Sequence, residues 1–188
     1  KTTNPSPNTA DRIITTVLND GEENGSASTT TIKILTQPQI NVTGNGITIK
    51  DGVTTTNTAD GTHYGNVAGN SGTVNRTFVI QNVGTGTINL TAPTNKVAIS
   101  GHAGFSVSTQ PSNTALSSSA TTNFVVSFDT NTYSAKGTYA AEISIVNDDP
   151  NTPRKNYTFT VQIDINNIPT VQNISKSGLE DQTITFNT

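Results

Sequence analysis

Hydrophobic and polar residues alternate along much of this chain, and no other feature of the sequence restricts the possible folds as strongly. The clearest alternating runs are Phe124–Phe128, Ala141–Ile145 and Tyr157–Ile163. Successive side chains of a β-strand point to opposite faces of the sheet, so each run predicts a strand with one buried and one solvated face. About eight such runs, separated by turn residues and without helical periodicity, predict an all-β fold, an Ig-like antiparallel β-sandwich.

The apolar residues at the inward positions of these runs form the predicted core. Only 31% of the residues are hydrophobic, yet the net charge is only −3. Disordered chains usually combine low hydrophobicity with a high net charge, so the sequence predicts an ordered protein with a thin core. The predicted core residues are Ile49, Phe78, Ile80, Leu90, Ile99, Phe105, Val107, Phe124, Val126, Phe128, Ile143, Ile145, Phe159, Val161 and Ile163.

Polar, Pro-containing segments divide the chain into three predicted pieces. Residues 1–37 hold two strand-like runs around a turn-rich loop. Because two strands alone are marginally stable in water, they indicate the C-terminal hairpin of an upstream sandwich. Residues 38–165 hold a complete Ig-like sandwich, and residues 166–188 hold a linker and the first strand of a downstream repeat. We therefore expect the sequence to be part of a longer protein with several modules.

Composition and motifs argue against several classes of function. The chain has no Cys, and its weakly acidic charge offers no binding surface for nucleic acid. No apolar run approaches the roughly 20 residues of a membrane helix, so direct membrane insertion is not expected. Sequence motifs of catalysis are missing, and the adjacent Asp148 and Asp149 would point to opposite faces of a strand. We therefore predict that the chain is not an enzyme.

A series of short motifs runs through the central piece. They are Val42-Thr-Gly-Asn-Gly46, Ile49-Lys-Asp-Gly52, Asp60-Gly-Thr-His-Tyr-Gly65, Thr73-Val-Asn-Arg-Thr-Phe-Val-Ile-Gln-Asn82, Ile99-Ser-Gly-His-Ala103, Thr109-Gln-Pro-Ser112, Val126-Ser-Phe-Asp129 and Ile145-Val-Asn-Asp-Asp149. With these motifs, about two-thirds of the 188 residues, from Ile40 to about residue 165, resemble the choice-of-anchor D type of Ig-like repeat in bacterial surface proteins. One departure is Val53, which stands where that family often has a second Asp.

Both flanks are similar to cadherin-like repeats, which occur in tandem in giant bacterial adhesins. Asp164-Ile-Asn166-Asn167-Ile-Pro169 is similar to a shortened cadherin calcium linker, and Gly178-Leu-Glu180-Asp181 is similar to the acidic start of a next repeat. The resemblance implies an extracellular, multi-module protein at the surface of a bacterium. Its partners would include the neighbouring repeats of the same chain.

Oxygen-bearing residues on both sides of the second boundary make up the main predicted metal site. Ca²⁺ takes about six to eight oxygen ligands, and carboxylates and amides supply them. The alternative is that these residues only form turns, because Asn and Asp side chains readily bond to the nearby backbone. The predicted calcium ligands are Asp164, Asn166, Asn167, Glu180 and Asp181.

A second candidate metal site lies in the polar loop predicted for residues 51–72. Its candidate ligands are Asp51, Asp60 and His63. Because the loop has no second His and its other candidates are oxygens, calcium is a better expectation than zinc, and a solvated loop without metal is the alternative. Asp148-Asp149-Pro150-Asn151 predicts a hairpin turn, with an acidic surface site as its alternative. His102 has no predicted partner and no predicted role.

Three functions remain open on sequence alone. The leading prediction is a structural spacer or adhesive module of a large, secreted, cell-surface repeat protein, such as a gliding or biofilm adhesin. The second is direct binding of a surface glycan or protein by the loop at residues 51–72, which offers only Tyr64 and His63 as flat side chains for sugar stacking. The third is a carbohydrate- or protein-binding accessory module of a secreted multidomain enzyme.

Overall fold

The computed structural model describes residues 12–19, 21–33 and 37–166, which form β-strands and one short 3-10 helix. The strands are β1 (Arg12–Thr16), β2 (Ser28–Ile32), β3 (Ile40–Gly44), β4 (Ile47–Ile49), β5 (His63–Ala68), β6 (Thr73–Asn82), β7 (Ile88–Asn89), β8 (Ala98–Gly101), β9 (Phe105–Thr109), β10 (Ala115–Leu116), β11 (Thr121–Asp129), β12 (Gly137–Val146) and β13 (Asn156–Asn166), and the helix spans Thr152–Lys155. The predicted all-β fold is confirmed. Within the described ranges, no helix is long and apolar enough to cross a membrane.

Strands β3 to β13 build a sandwich of two sheets. One sheet has five strands in the order β4-β3-β6-β11-β9, and the other has four in the order β5-β13-β12-β8. Strands β7 and β10 form a further two-stranded sheet. Strand β13 pairs with β5 in parallel, whereas its pairing with β12 is antiparallel. The two main sheets meet through rings such as Phe78 and Phe159, whose centroids are 5.4 Å apart.

The core lies between the two sheets, as the alternating pattern predicts. All predicted core residues are buried except Ile99 and Val107, which are partly buried against the core. Most of the additional buried side chains lie in short strands, in loops or near strand ends, and Ala141 lies in the middle of β12. These additional buried residues are Ile40, Val42, Tyr64, Ile88, Val97, Leu116, Ala141, Tyr157 and Ile165.

Strands β3, β5 and β10 lie where the sequence pattern predicted none. Strand β5 occupies residues 63–68, so the prediction of a continuous loop over residues 51–72 is wrong for that part. Its pairing with β13 and the burial of Tyr64 stabilise β5 although Gly65 and Asn66 are poor strand formers. Strand β3 joins β4 through Asn45-Gly46, whose φ angles of 51° and 79° suit the two-residue turn of a tight hairpin.

Strands β1 and β2 form a separate two-stranded sheet in which Arg12 pairs with Ile32. Every residue of both strands is exposed, including Ile13 at 68%. The hairpin predicted within residues 1–37 is therefore present, and its assignment to an upstream sandwich stays a prediction. Of the predicted C-terminal piece, residues 166–188, only Asn166 lies within the described residues.

We expect residues 38–165 to fold without the rest of the chain, because all buried side chains of the described residues lie between Ile40 and Ile165. Circular dichroism during denaturant titration should show one cooperative all-β transition. Residues 1–37 alone should show no cooperative transition, because a two-stranded hairpin is at best marginally stable in water. Cooperative unfolding of the isolated 1–37 peptide would show that the predicted boundary at residue 37 is misplaced.

Candidate functional site: the two ends of the sandwich

The chain enters the sandwich through residues 37–40, which we call the entry strap, and the strap is hydrogen-bonded to the loop after β6. The Thr85 N–H donates to the carbonyl of Gln37 at 2.9 Å, and the Gln37 N–H donates to Thr85 Oγ1 at 3.3 Å. The Val83 N–H donates to the carbonyl of Gln39 at 2.8 Å. These bonds fix the direction in which the chain approaches β3.

Asn82, at the end of β6, is the polar anchor of the entry strap. Its side chain is fully buried, and Oδ1 accepts hydrogen bonds from the Gln39 N–H at 3.1 Å and the Gly84 N–H at 2.9 Å. Nδ2 donates to the carbonyl of Leu116 at 2.9 Å. The strap passes so close that a Cβ atom on Gly84 would lie 2.3 Å from the Gln37 carbonyl oxygen. A larger residue at position 84 would therefore displace the strap.

A buried ion pair completes the entry end. Asp149 is fully buried, and its Oδ2 accepts hydrogen bonds from Arg154 Nε at 2.9 Å and from the Ile40 N–H at 3.0 Å. Burial alone would raise the pKa of Asp149, but the hydrogen bonds from Arg154, Asn151 and Ile40 outweigh it and hold the pKa below its ordinary value. The predicted turn at residues 148–151 is present, and the alternative of an acidic surface site is wrong for Asp149.

The chain leaves the sandwich at the opposite end. Strand β13 begins at Asn156, just after the loop that contains Asp149, and runs for 11 residues to Asn166. At about 3.3 Å per residue, such a strand is about 35 Å long. The Asn166 carbonyl accepts a hydrogen bond from the Gly69 N–H at 3.3 Å. Because Ile40 bonds to Asp149 next to the start of β13, the whole length of the sandwich separates entry from exit.

Near the exit, Asp164 already has a partner for each carboxylate oxygen. Thr138 Oγ1 donates to Oδ1 at 2.7 Å, and His63 Nε2 lies 3.2 Å from Oδ2. Asn166 is exposed beside it, one residue beyond Ile165. The other predicted calcium ligands, Asn167, Glu180 and Asp181, lie outside the described residues. Among the residues that are described, no group of three or more His, Cys, Asp or Glu side chains is placed to hold a metal ion.

His63 therefore joins the predicted calcium residues at the exit rather than Asp51 and Asp60. Its Nδ1 accepts a hydrogen bond from the Gly65 N–H at 3.0 Å, so in the neutral ring the proton is on Nε2, the atom that faces Asp164. A zinc-bound His normally donates its second ring N–H to a carboxylate or carbonyl. The bond from Gly65 leaves Nδ1 without such a proton, which disfavours a zinc site at Nε2.

The structure places Asp51 and Asp60 in separate hydrogen-bond networks. Asp51 Oδ1 accepts from the Thr158 N–H at 2.9 Å, where the chain crosses from one sheet to the other. Burial, and secondly the negative charge of Asp51, raise the pKa of the nearby Tyr157 to about 12. Asp60 Oδ1 accepts from the Thr62 N–H at 2.9 Å and from the Thr62 hydroxyl at 2.7 Å. Both carboxylates thus accept backbone hydrogen bonds, Asp60 within its own turn and Asp51 from a strand 107 positions away.

Many polar residues form the same type of turn, in which a side chain accepts a hydrogen bond from the backbone N–H two residues ahead. Both histidines do so through Nδ1, His63 from Gly65 and His102 from Gly104. The sequence signal is His-x-Gly, and Asn82-Val-Gly84 carries its Asn equivalent. The Asn and Asp residues with this bond are Asn19, Asn57, Asp60, Asn82, Asn113, Asp129, Asn147 and Asp149.

His102 has aromatic partners, contrary to the prediction that it stands alone. Its ring centroid is 4.7 Å from that of Tyr133, 4.4 Å from that of Tyr139 and 5.9 Å from that of Phe128. Tyr139 pairs with Ile163 on β13, so this aromatic cluster closes the core near the exit. The rings of His102, Tyr133 and Tyr139 are half-buried, whereas Phe128 is fully buried beneath them.

Tyr64 is not available as a flat surface for sugar stacking. It is only 3% exposed, its hydroxyl donates to the Val126 carbonyl at 2.9 Å, and its ring packs edge-on against Phe105 at 5.5 Å. Burial raises the pKa of the Tyr64 hydroxyl well above its usual range, although the charge of Arg76 opposes that shift. Of the two flat side chains that the sequence offers for sugar stacking at residues 51–72, Tyr64 is therefore inside the core.

No protein-family model and no curated protein matches this sequence. Among solved structures, the chain is similar to a protein of unknown function from Porphyromonas gingivalis W83, with 16% identity, a TM-score of 0.49 and coverage of 85% of this chain and 66% of that one. Vibrio cholerae VesB protease has 15% identity and a TM-score of 0.40 over 55% of this chain and 29% of that one. A PapD-like domain of human CEP192 has 13% identity and a TM-score of 0.37 over 72% of this chain and 89% of that one.

Proposed function

We propose that this chain is a structural spacer and adhesive module of a large, secreted repeat protein at a bacterial cell surface. The observation that carries the proposal is the placement of entry and exit at opposite ends of the sandwich. In many domains the two termini lie close together. Here the chain advances by the full length of β13, about 35 Å, between the entry strap and Asn166. Each such module therefore adds its long dimension to the reach of an array.

The fastened entry supports the same proposal. A spacer needs a fixed angle between successive modules. The entry strap is bonded through Gln37 and Gln39 before β3 begins, and through Ile40, the first residue of β3. The proposal assigns no catalytic role to the chain. Asp149 and Asp164 each accept structural hydrogen bonds, from Arg154 and Thr138 respectively.

Calcium at the exit junction is part of the proposal. Asp164 and Asn166 would supply oxygens from this module, and Asn167, Glu180 and Asp181 would supply oxygens from the chain that follows. Binding would require Asp164 Oδ2 to exchange its contact with His63 for the cation, because the two are 3.2 Å apart. His63 is therefore a built-in reporter for calcium, and His102, the other histidine of the chain, is its internal control.

Small-angle scattering tests the spacer role on a protein that begins at residue 38 and continues to the end of the following repeat. We expect a maximum dimension close to the summed lengths of two modules in millimolar Ca²⁺, and bending about the junction in chelator. A maximum dimension near that of a single module in Ca²⁺ would contradict the spacer role.

The calcium site has its own readout in the 188-residue chain. Addition of millimolar Ca²⁺ should shift the ring signals of His63 in the NMR spectrum and leave those of His102 unchanged, and Asp164→Ala should abolish the response. If His63 does not respond, and scattering is unchanged by chelator, the junction is stiffened by Pro169 and packing, and calcium has no part in it.

A further inference from the structure

Strand β13, by which the chain leaves the sandwich, is hydrogen-bonded on both sides. On one side it is antiparallel to β12 over its length, from Val146 opposite Asn156 to Gly137 opposite Ile165. On the other side the neighbouring chain runs parallel to it. The Thr160 N–H donates to the Val53 carbonyl at 3.0 Å, and β5 continues this pairing as far as Asn166. Strand β13 therefore lies inside its sheet and cannot leave without breaking both sets of bonds.

Strand β3, by which the chain enters, runs in the same direction as β13. It starts at the entry end, where Ile40 bonds to Asp149, and it ends where Gly44 packs against the Asp60 carbonyl. Two residues after Asp60, the Thr62 carbonyl accepts a hydrogen bond from the Gln162 N–H of β13 at 2.8 Å. The end of β3 therefore lies near Gln162, in the second half of β13. The two strands therefore run in the same direction along the sandwich, with the entry strap at one end and Asn166 at the other.

We propose that the sandwich is a tension-bearing element in which a pull between the entry strap and Asn166 loads β3 and β13 in shear. Such a pull draws β3 back along β4 and β6 while it draws β13 forward along β5 and β12. The hydrogen bonds lie across the strands, so sliding a strand strains many of them together. This inference rests on the proposed spacer role, because tension reaches the module only through flanks that are held at both ends.

A pull in a different direction should separate β13 from β12 at a much lower force. Strands β12 and β13 form a hairpin whose open end lies at the exit, between Gly137 and Ile165. A pull between Lys136 and Asn166 opens this hairpin from its end and breaks the hydrogen bonds one pair after another. Lys136 and Asn166 are both exposed, so attachment at either position leaves the core intact.

Single-molecule force measurements on the 188-residue chain compare the two directions. The chain has no Cys, so two attachment pairs can be introduced cleanly. Gln37→Cys with Asn166→Cys pulls along β13, and Lys136→Cys with Asn166→Cys opens the hairpin. Both pairs share the attachment on β13, and both variants should keep the thermal midpoint of the parent chain. We expect the unfolding force along β13 to exceed the force that opens the hairpin severalfold.

A smaller difference between the two forces overturns the inference, because a pull along β13 would then unfold the sandwich at about the force that opens the hairpin. That outcome leaves the spacer role untouched if scattering still shows extended arrays. Compact arrays combined with a severalfold difference would instead overturn the spacer role, and the resistance of the fold to a pull along β13 would stand. The two experiments therefore separate the failure of one idea from the failure of the other.

Discussion

Phe124→Ala should lower the free energy of unfolding of the central sandwich by about 3–5 kcal/mol, the usual cost of truncating a buried Phe. Phe124 is fully buried in β11, and its ring stacks on Phe78 at a centroid distance of 5.4 Å. Small domains are stable by only about 5–15 kcal/mol, so this single change removes a large share of the total. Denaturant titration followed by circular dichroism measures the loss.

Val125→Ala is the matched control, because Val125 is the next residue of the same strand and faces the other side of the sheet. It is half-buried, so we expect a loss of about 1 kcal/mol. Phe128→Ala should resemble Phe124→Ala, since Phe128 is also fully buried and lies beneath the aromatic cluster. Equal losses at positions 124 and 125 would contradict the assigned faces of β11.

Asp149→Asn should also have a large effect, about 3 kcal/mol at neutral pH. Breaking a buried ion pair typically costs about 3–5 kcal/mol. The lower end applies here because the Arg154 side chain is 29% exposed and keeps contact with water after its partner is neutralised. Asp148→Asn is the control, since Asp148 is adjacent but exposed, and its carboxylate accepts hydrogen bonds from Asn89. We expect little change for Asp148→Asn in the same denaturant titration.

The pH dependence of the unfolding free energy distinguishes the contribution of the Asp149 charge from that of the side chain's shape. The pKa of Asp149 is lower in the folded protein than its ordinary value, which is about 3.9 in an unfolded chain. Its contribution is therefore fully present above about pH 4 and is lost as the pH falls through the folded pKa. The difference in unfolding free energy between the parent chain and Asp149→Asn should shrink below about pH 4. A difference that stays constant down to pH 2 would contradict the assigned role of the charge.

The sequence predicted the long strands well because their burial follows directly from alternation. In Phe124–Phe128 and Tyr157–Ile163, every second residue is large and apolar, so the inward face is readable without a partner. Strand β5 could not be read in this way, because Gly65 and Asn66 interrupt it and its pairing with β13 joins residues about a hundred positions apart. Short strands such as β10 hold too few residues to show a period.

The ends of the sandwich were harder to predict than its core, because polar side chains reveal their roles only through distant partners. Asp149 looks like a turn residue in sequence, and its burial depends on Ile40, 109 positions away. In the same way, the sequence pattern places Asp164 with the oxygen-bearing residues that follow it, whereas the structure pairs it with His63 and Thr138. A charged residue beside Pro and Asn is compatible with both a surface turn and a buried pair.

The placement of entry and exit at opposite ends also determines how much the chain lengthens between them when the sandwich unfolds. Residues 40–166 advance the chain by only about 35 Å while folded, the length of the 11-residue β13. The same 127 residues, from Ile40 to Asn166, would span about 430 Å if fully stretched. Each unfolding event would therefore lengthen an anchored chain more than tenfold over that segment. An array of such modules would yield in discrete steps and dissipate a sudden load before its attachments break.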